Sequence, residues 1–534
     1  MNLHAIVVGA GFSGLYCLHR LRRLGFTARC FEAAGDVGGT WWWNRYPGAR
    51  CDVESLDYSY SFDPELEQEW EWSERYATQP EILRYANHVA DRYDLRRDIQ
   101  FDTRVTEARW DDGSATWTVT VTPTGGDGAE VTTARFLILA VGVLSKPKLP
   151  EVPGIDTFAG PIYHTAQWPH EGVDFTGRRV GVIGTGSSGI QAIPLIAEQA
   201  AHLTVFQRTA NFTQPAMNAP LDPEVVAARK ANYREYRELQ RRSHIGTGWT
   251  LPTAKISETD PAEVEAIFQR GWRTGRLAGV TQEFVDVLLD PAANELVAEF
   301  HRERIRAIVA DPELAEDLSP RTFPYATKRP CLDTGYYETF NRSDVTLVNL
   351  RKTPLTTITP GGVATTDATY ELDDLVFATG FDAQTGALLA FPIVGRGGRQ
   401  LADEWLCGPR TYLGLAVAGF PNAFTITGPL SPSVLSNMLV SIEQHVEWVT
   451  DCIAALRDGG ATSIEADADA QDGWVAHTNE VASLTLYPQA DSWYTGANVE
   501  GKPRMFMTYV GGVGTYREIC DGVARDGYRG FTIC

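Results

Sequence analysis

The feature that most constrains the fold of this chain is a pair of glycine turns, each lying between an apolar strand and a helical stretch. The strand Ala5–Val8 precedes the turn at residues 9–14, and Arg179–Ile183 precedes the turn at residues 184–189. After each helical stretch comes a second strand, Ala28–Phe31 or Leu203–Phe206, which completes a βαβ unit. One such turn arises by chance, but two in the same context predict an α/β chain with two Rossmann-like dinucleotide-binding domains.

The two units differ in the residue that would meet the ribose. The glycines let the backbone approach a pyrophosphate at a helix N-terminus. In the first unit Glu32 ends the second strand, and a carboxylate accepts ribose hydroxyls but repels a 2′-phosphate. At the same offset in the second unit Gln207 is followed by Arg208 and Thr209, which suits the 2′-phosphate of NADP. The predicted pyrophosphate-binding residues are Gly9, Gly11, Gly14, Gly184, Thr185, Gly186, Ser187, Ser188 and Gly189.

The first site is predicted to hold FAD, because two further motifs of flavoproteins occur. Gly39, Thr40 and Trp41 belong to a second glycine turn, and the apolar strand Leu375–Ala378 ends in an Ala-Thr-Gly turn. The second site is predicted to bind NADPH. The chain therefore predicts two cofactors, FAD and NADPH, bound by one polypeptide.

The length of 534 residues exceeds what one hydrophobic core supports. Four Asp-Pro pairs, each typical of a helix start, lie between the second unit and the returning strands, at Asp222, Asp260, Asp290 and Asp311. They predict a helical subdomain at 221–320. The FAD-binding domain is predicted at 1–145 and 376–534, and the NADP-binding domain at 146–220 and 321–375.

Charge and cysteine content exclude several classes of function. With 47 Lys and Arg against 68 Asp and Glu, the net charge is −21, which disfavours nucleic acid and anionic membrane partners. No apolar run reaches the ~20 residues of a membrane helix, and the N-terminus does not resemble a secretory signal. The eight cysteines form no CxxC pair, which argues against a zinc site. We expect a cytoplasmic protein with no bound metal and no obligate protein partner.

Residues 158–169, FAGPIYHTAQWP, match every fixed position of FxGxxxHxxxW followed by Pro or Asp, the fingerprint of type I Baeyer–Villiger monooxygenases. Residues 38–52, from the Gly-Gly-Thr-Trp turn to Asp52, match the second fingerprint of this family. The resemblance covers essentially the whole chain and is strongest to the phenylacetone and steroid monooxygenase branch. It implies that NADPH reduces FAD, that O₂ forms a C4a-peroxyflavin, and that a ketone is converted to an ester or lactone.

The resemblance also implies roles for individual residues. Arg329 matches the active-site arginine, and Asp52 matches the carboxylate held against it; these two form the expected catalytic pair. Arginine suits the task because it does not release its proton. Lys328, Arg208 and Thr209 match positions that bind the 2′-phosphate, and Trp493 matches a tryptophan beside the nicotinamide cofactor. The positions that match FAD contacts are Glu32, Thr40, Trp41, Tyr58, Val105 and Met438.

Other positions are less determined. His164 of the fingerprint is expected either to couple the domains or to be an ordinary structural histidine. Val143 stands near the flavin where relatives carry glutamine, and Leu430 and Val434 are bulkier than expected in a loop that lines the substrate pocket in relatives. Two other functions stay open from the sequence: an NADPH-dependent flavin disulfide reductase, which needs a cysteine pair, and a flavoprotein that binds nucleotides without catalysis.

Overall fold

A computed structural model describes residues 3–277 and 279–534. The strands are β1 Leu3–Val8, β2 Ala28–Phe31, β3 Ile99–Gln100, β4 Thr103–Asp111, β5 Thr116–Pro123, β6 Glu130–Leu139, β7 Ile162–His164, β8 Arg179–Ile183, β9 His202–Gln207, β10 Thr213–Pro215, β11 Cys331–Asp333, β12 Val345–Asn349, β13 Leu355–Thr359, β14 Gly362–Thr365, β15 Thr369–Glu371, β16 Asp374–Phe377, β17 Ile393–Val394, β18 Ala423–Thr425, β19 Ile464–Ala466 and β20 Phe531–Ile533.

The α-helices are α1 Phe12–Arg23, α2 Thr40–Trp43, α3 Pro64–Glu69, α4 Gln79–Arg92, α5 Ser187–Gln199, α6 Pro223–Arg242, α7 Pro261–Trp272, α8 Pro291–Ile308, α9 Pro312–Leu318, α10 Tyr336–Thr339, α11 Leu401–Glu404, α12 Met438–Gly459, α13 Ala468–Ser483 and α14 Val513–Arg525. Across the ranges that the model describes, no helix is both long and apolar enough to span a bilayer.

The first of the two large sheets surrounds β1. Its order is β17-β4-β5-β6-β1-β2-β3, with β18 also paired to β6. β1 is parallel to both β2 and β6, whereas β4, β5 and β6 form an antiparallel meander. One hydrophobic core places α1 and α12 against β1, and a second lies on the other side of the strands around Trp117. This confirms the first βαβ unit.

The second large sheet is entirely parallel, in the order β12-β9-β8-β16-β7. The predicted domain boundary at 375/376 falls inside β16, which pairs with β8 and β7 over its whole length. That boundary is therefore wrong by a few residues. The whole of β16 belongs to the second sheet, and the chain returns to the first domain only at the Ala-Thr-Gly turn after it. The fold class, with two dinucleotide-binding units and a helical insertion, is confirmed.

The insertion consists of helices that begin where the Asp-Pro pairs predict them. Each aspartate side chain accepts a hydrogen bond from the N–H two residues further on, and proline occupies the first helical position. Helices α7 and α8 share a core of their own, whereas α9 packs on the second domain and α6 contacts α3 and α14 of the first. The insertion is thus spread over both domains. The chain enters and leaves it through the adjacent parallel strands β10 and β11.

The sequence predicts a long helix at Val434–Leu456, but the helix begins later, at Met438, where the side chain of Asn437 caps it by accepting from Leu439 N–H. The preceding residues form a separate 3-10 turn, Ser433–Leu435. Because Val434 lies outside the helix, its carbonyl group is not used by the helical ladder and stays available for a side-chain donor.

A buried polar network joins α6 and α12 to residues 59–67, which precede both helices in the chain. Arg237 of α6 donates to Glu67 at 2.7 Å and to Ser59 Oγ at 2.6 Å. Glu443 of α12 accepts from Ser61 N–H at 2.6 Å and from Ser61 Oγ at 2.5 Å. Burial, and then the nearby Glu447, raise the pKa of Glu443 from 4.5 to about 7. This carboxyl group is therefore more easily protonated in the folded protein than in the unfolded chain.

A raised pKa means that the folded state holds the proton more tightly, so the stability that it contributes is complete below pH 4.5 and is lost as pH rises through about 7. We expect Glu443→Gln to retain both contacts with Ser61 and to remove about 1.4 kcal/mol of the pH dependence of stability between pH 6 and pH 8.5, the part of the full effect that falls in this range. Thermal unfolding at about pH 6 and pH 8.5 measures it. Glu480→Gln, at an exposed site, is the control; equal pH dependence in parent and Glu443→Gln would contradict the prediction.

Candidate active site

The first glycine turn is built so that side chains cannot fill it. A Cβ on Gly9, where φ is +100°, would lie 2.6 Å from Ala140 O, and one on Gly14 would lie 1.9 Å from Gly9 O. Gly11 faces the glycine turn that begins at Gly38. A Cβ on Gly11 would approach Gly39 Cα at 3.4 Å, and Gly38 N–H donates to Ala10 O at 3.1 Å. The start of α1 has no side-chain cap. Its N–H groups are therefore free to bind a pyrophosphate that crosses both turns.

Glu32 is buried directly after β2, and its two oxygens accept from the N–H groups of Ala10 and Ala34 at 2.6 and 2.8 Å. Burial raises the pKa of this carboxyl group, against the lowering effect of those backbone donors. Glu32 thus fastens the glycine turn, and each oxygen retains a lone pair for a ribose hydroxyl. The chemistry of the donor set fits FAD.

The other residues that match FAD-contacting positions occupy separate places. Trp41 Nε1 donates to the hydroxyl of Tyr58 at 3.3 Å, and the two rings meet edge to face at 6.0 Å. Thr40 opens α2 next to Gly39. Val105 lies elsewhere, in the hydrophobic core beside Phe31 and therefore close to Glu32. The structure brings Trp41 and Tyr58 together, and places Val105 in a different hydrophobic core.

The carboxylate of Asp52 and the guanidinium of Arg329 form a two-point ion pair. Arg329 Nε donates to Asp52 Oδ2 at 2.6 Å and Nη2 donates to Oδ1 at 2.9 Å, while Nη1 donates to Val434 O at 2.7 Å. Arg329 follows a tight turn in which Thr327 N–H and Oγ1 both donate to Pro324 O, and it precedes β11. The side chains of the pair are 23% and 25% exposed, so the pair is largely shielded but reachable.

The electrostatics of the pair favour two permanent charges. Burial alone would raise the pKa of Asp52, but the charge and hydrogen bonds of Arg329 outweigh it and hold this pKa below its ordinary value. Burial likewise opposes the charge on Arg329, yet Asp52 raises the pKa of the guanidinium well above its ordinary value. Arg329 is therefore a fixed cation throughout the physiological pH range.

An apolar wall adjoins this pair. Its buried members are Val143, Val434, Ala482, Tyr494 and Phe506, and Met438, Trp493, Leu144, Leu435, Tyr487 and Val510 pack against them. Burial raises the pKa of Tyr494, whereas the adjacent Arg329 lowers it. Leu430, expected in the same loop lining, belongs instead to the core of the first domain. The cation of Arg329 therefore stands beside a cluster of hydrophobic side chains.

The glycine turn at residues 184–189 has the same close backbone contacts as the turn at residues 9–14. A Cβ on Gly184, where φ is +113°, would lie 2.4 Å from Ala378 O, and one on Gly189 would lie 2.3 Å from Gly184 O. A Cβ on Gly186 would meet nothing within 4 Å, so the outer side of the turn is open. Ser187 Oγ contacts Cys331 Sγ at 3.1 Å, and Thr185 Oγ1 donates to Thr209 O at 3.0 Å. These hydroxyls anchor the turn, while the open glycine and the uncapped α5 fit a pyrophosphate.

Cations gather beside this turn. Burial, together with the charges of Arg208 and Arg351 and against the opposing charge of Asp491, lowers the pKa of Lys328 to about 8. Lys328 Nζ lies 4.8 Å from the centroid of the Phe323 ring. Burial, and then the charge of Arg208, lower the pKa of Lys148, and the ammonium group of Lys148 donates to Asn498 O. Lys148 and Arg351 could not be predicted from the sequence, because their positions near Arg208 depend on contacts between segments remote in the chain.

His164 connects the two segments that join the sheets. Its Nε2 lies 3.3 Å from both Lys148 O and Thr379 Oγ1, and its Nδ1 accepts from Ala166 N–H at 3.1 Å. Thr379 Oγ1 in turn donates to Lys148 O at 2.6 Å. Burial lowers the pKa of His164, so the ring is neutral at neutral pH. The fingerprint histidine therefore links the connections between the domains.

Comparison with known proteins agrees with this geometry. The family model described as flavin-binding monooxygenase-like matches residues 3–217. The chain is 43% identical over 530 residues to a Baeyer-Villiger monooxygenase from Pseudooceanicola batsensis, covering 99% of this chain and 95% of that protein. It is 53% identical to oxidized steroid monooxygenase bound to NADP, with a TM-score of 0.95 over 100% of this chain and 99% of that one. A complex of OTEMO with FAD and NADP is 40% identical, with a TM-score of 0.95 over the same shares.

These likenesses run over essentially the whole chain, and the structure supplies both cofactor cradles and the arginine–aspartate pair. All eight cysteines, which lie within the described ranges, are unpaired, so a disulfide reductase is not supported. A flavoprotein without catalysis is not supported either, since the relatives are monooxygenases. The chain therefore belongs to the type I Baeyer–Villiger monooxygenase family, whose members are flavin-dependent oxidoreductases that bind FAD and NADP(H).

Proposed function

We propose that this enzyme converts ketones to esters or lactones with NADPH and O₂, and that Arg329 is its catalytic cation, positioned by Asp52. The bound flavin, reduced by NADPH, supplies the electrons that activate O₂. The remaining tasks belong to the protein: to keep a reacting oxygen anionic, to stabilise charge on the ketone oxygen when it is attacked, and to limit access of water.

Arg329 suits the first two tasks because of its free donors. A guanidinium has five N–H groups; two donate to Asp52 and one to Val434 O, and the hydroxyl of Tyr494 also interacts with the group. The N–H groups that remain can donate to an anionic oxygen. Because Asp52 grips the planar group at two points, these donors keep one orientation and need little reorganisation during the reaction. This fixed, partly exposed guanidinium is the observation that carries the proposal.

The apolar wall supports a substrate that is uncharged near its carbonyl group. Val143, which stands where relatives carry glutamine, and Val434, which is bulkier than expected, both belong to this wall. A charged substrate would lose its hydration against these side chains without gaining a partner. We therefore propose ketones that carry apolar substituents, with the 2′-phosphate of NADPH held by Arg208, Thr209 and Lys328 and the nicotinamide end near Trp493.

The other predictions stand as parts of this proposal. FAD would occupy residues 1–145 and the chain after Phe377, with contacts at Glu32, Thr40, Trp41, Tyr58, Val105 and Met438. O₂ and the ketone are the expected small-molecule partners, and a cytoplasmic location stays a prediction. NADPH would occupy the second sheet and its edge.

Product analysis tests the activity. The FAD-loaded enzyme is incubated with NADPH, ¹⁸O₂ and a panel of cyclic, linear and aryl ketones, with the matching alcohols as controls. We expect esters or lactones that carry one ¹⁸O atom, from ketones only. If every ketone were returned unchanged while NADPH was consumed and hydrogen peroxide accumulated, or if only amines or sulfides were oxidised, the proposed ketone oxidation would be wrong.

A further inference from the structure

Arg351 is an exposed arginine just beyond the carboxyl end of β12, and neither glycine motif nor the family fingerprints include it. Strand β12 runs parallel to β9 in a register that pairs Asn349 with Gln207. Arg351 lies in the turn that follows β12, and its side chain reaches Arg208 and Thr209, which follow β9. The neighbouring strand therefore delivers a second arginine to the edge of the sheet at which Arg208 stands.

The guanidinium of Arg351 is fastened across the turn that follows β9. Its Nε donates to Arg208 O at 2.8 Å, and its Nη2 donates to Thr209 Oγ1 at 3.4 Å. Within the ranges that the structure describes, no protein acceptor is bound by Nη1. An arginine held through Nε and Nη2 can still donate from Nη1 to an anion. Because its side chain is already ordered, binding the anion costs little further side-chain entropy.

Charge balance around this group is unusual for such an acidic protein. Neither Arg208, Lys328 nor Arg351 has a carboxylate within 4.0 Å in the described part of the chain, although the net charge is −21. The adjacent Lys352 differs, because it pairs with Asp317 at 2.8 Å and with Glu313 at 3.4 Å. Three cations that repel one another, with no carboxylate in direct contact among the described residues and with the more distant Asp491 opposing the effect on Lys328, indicate a site whose counter-ion is a ligand.

We propose that Arg351 is a third cation of the site that binds the 2′-phosphate of NADPH, and that it increases the preference for NADPH over NADH. The inference rests on the proposed assignment of Arg208 and Lys328 to that phosphate. A phosphate monoester dianion offers three acceptor oxygens, which can be shared among two arginine forks and one ammonium group. Arg351 both contacts the phosphate and supports the turn that carries Arg208 and Thr209.

Calorimetric titration of the FAD-loaded enzyme with NADP⁺, and with NAD⁺ by competition, tests this without turnover. We expect Arg351→Ala to weaken NADP⁺ binding about tenfold and to leave NAD⁺ binding unchanged, the size typical of one partly exposed charge-assisted hydrogen bond. Arg351→Lys should restore most of the lost affinity, because the charge remains. A structural role alone would predict no rescue by lysine and equal losses for both nucleotides, and that result would overturn the inference.

Lys352→Ala is the matched control, since it removes one positive charge from the next residue. It should change NADP⁺ affinity by less than twofold. A loss equal to that of Arg351→Ala would mean that any nearby positive charge has the same effect on NADP⁺ affinity, and it would overturn the inference. Arg208→Ala separates the two proposals. If it weakens NADP⁺ binding while Arg351→Ala does not, only the inference about Arg351 is wrong. If neither variant weakens it, the phosphate site itself is misassigned.

Discussion

Replacing Arg329 with alanine should reduce ester formation by about 10²–10³-fold, the usual cost of removing one preorganised donor beside a developing oxyanion. FAD should stay bound, and NADPH should still bleach the flavin, because neither the glycine cradles nor the 2′-phosphate cations involve the Arg329 guanidinium. NADPH oxidation should continue and release hydrogen peroxide. Anaerobic stopped-flow reduction, product analysis and a peroxide assay together separate the two halves of the reaction.

Arg329→Lys should recover little of the lost activity. A flexible ammonium group cannot make the two-point contact that Asp52 makes with the guanidinium, at 2.6 and 2.9 Å, and cannot also reach Val434 O in the same orientation. Arg321→Ala is a matched control, since Arg321 is an exposed arginine paired with Glu316 outside the site. Ester formation by Arg329→Ala at the parent rate would refute the catalytic role, and Lys328 would become the next candidate.

Replacing Arg208 with alanine should raise the KM for NADPH by about 10–100-fold and leave the KM for NADH nearly unchanged. The reason is that a charge-assisted hydrogen bond contributes roughly 1.5–3 kcal/mol, and only NADPH carries the 2′-phosphate that receives it. Steady-state and anaerobic flavin-reduction kinetics with the two cofactors measure the change.

The companion variant Lys328→Met should act in the same direction. Lys328 also has a titration that can be followed, since its pKa lies at about 8 and a bound phosphate would raise it. The pH dependence of NADPH affinity above that value should therefore disappear in Lys328→Met. If Arg208→Ala impaired NADPH and NADH equally, the assignment of the second site to the 2′-phosphate would fail.

The local elements could be predicted because their causes are local. The strands Ala28–Phe31 and Arg179–Ile183 have the predicted bounds, since each is an apolar run ended by a turn. The four Asp-Pro pairs begin helices because an aspartate oxygen two residues from a free N–H caps it in any context. The positive φ at Gly9 and Gly184 likewise follows from close backbone approaches that only glycine permits.

Features that depend on contacts between distant segments were predicted less well. The boundary at 375/376 failed because strand β16 contributes to the sheet of the preceding domain, a choice made by pairing with β7 and β8. The long helix starts at Met438 and not near Val434, because the cap is supplied by Asn437. That shift has a chemical consequence, since it leaves Val434 O to accept a hydrogen bond from Arg329.

The sequence by itself determined the two βαβ units, the choice of a carboxylate in one and an arginine in the other, and the family, because these reside in short contiguous motifs. Only the tertiary structure decided that Asp52 grips Arg329 at two points and that Val143, Val434 and Tyr494 form one wall beside it. It also decided that Arg351 stands beside Arg208, through the register of β12 on β9. Side chains far apart in the chain meet only where sheet pairing and core packing bring them together. The spacing of residues within a short motif therefore cannot predict these contacts.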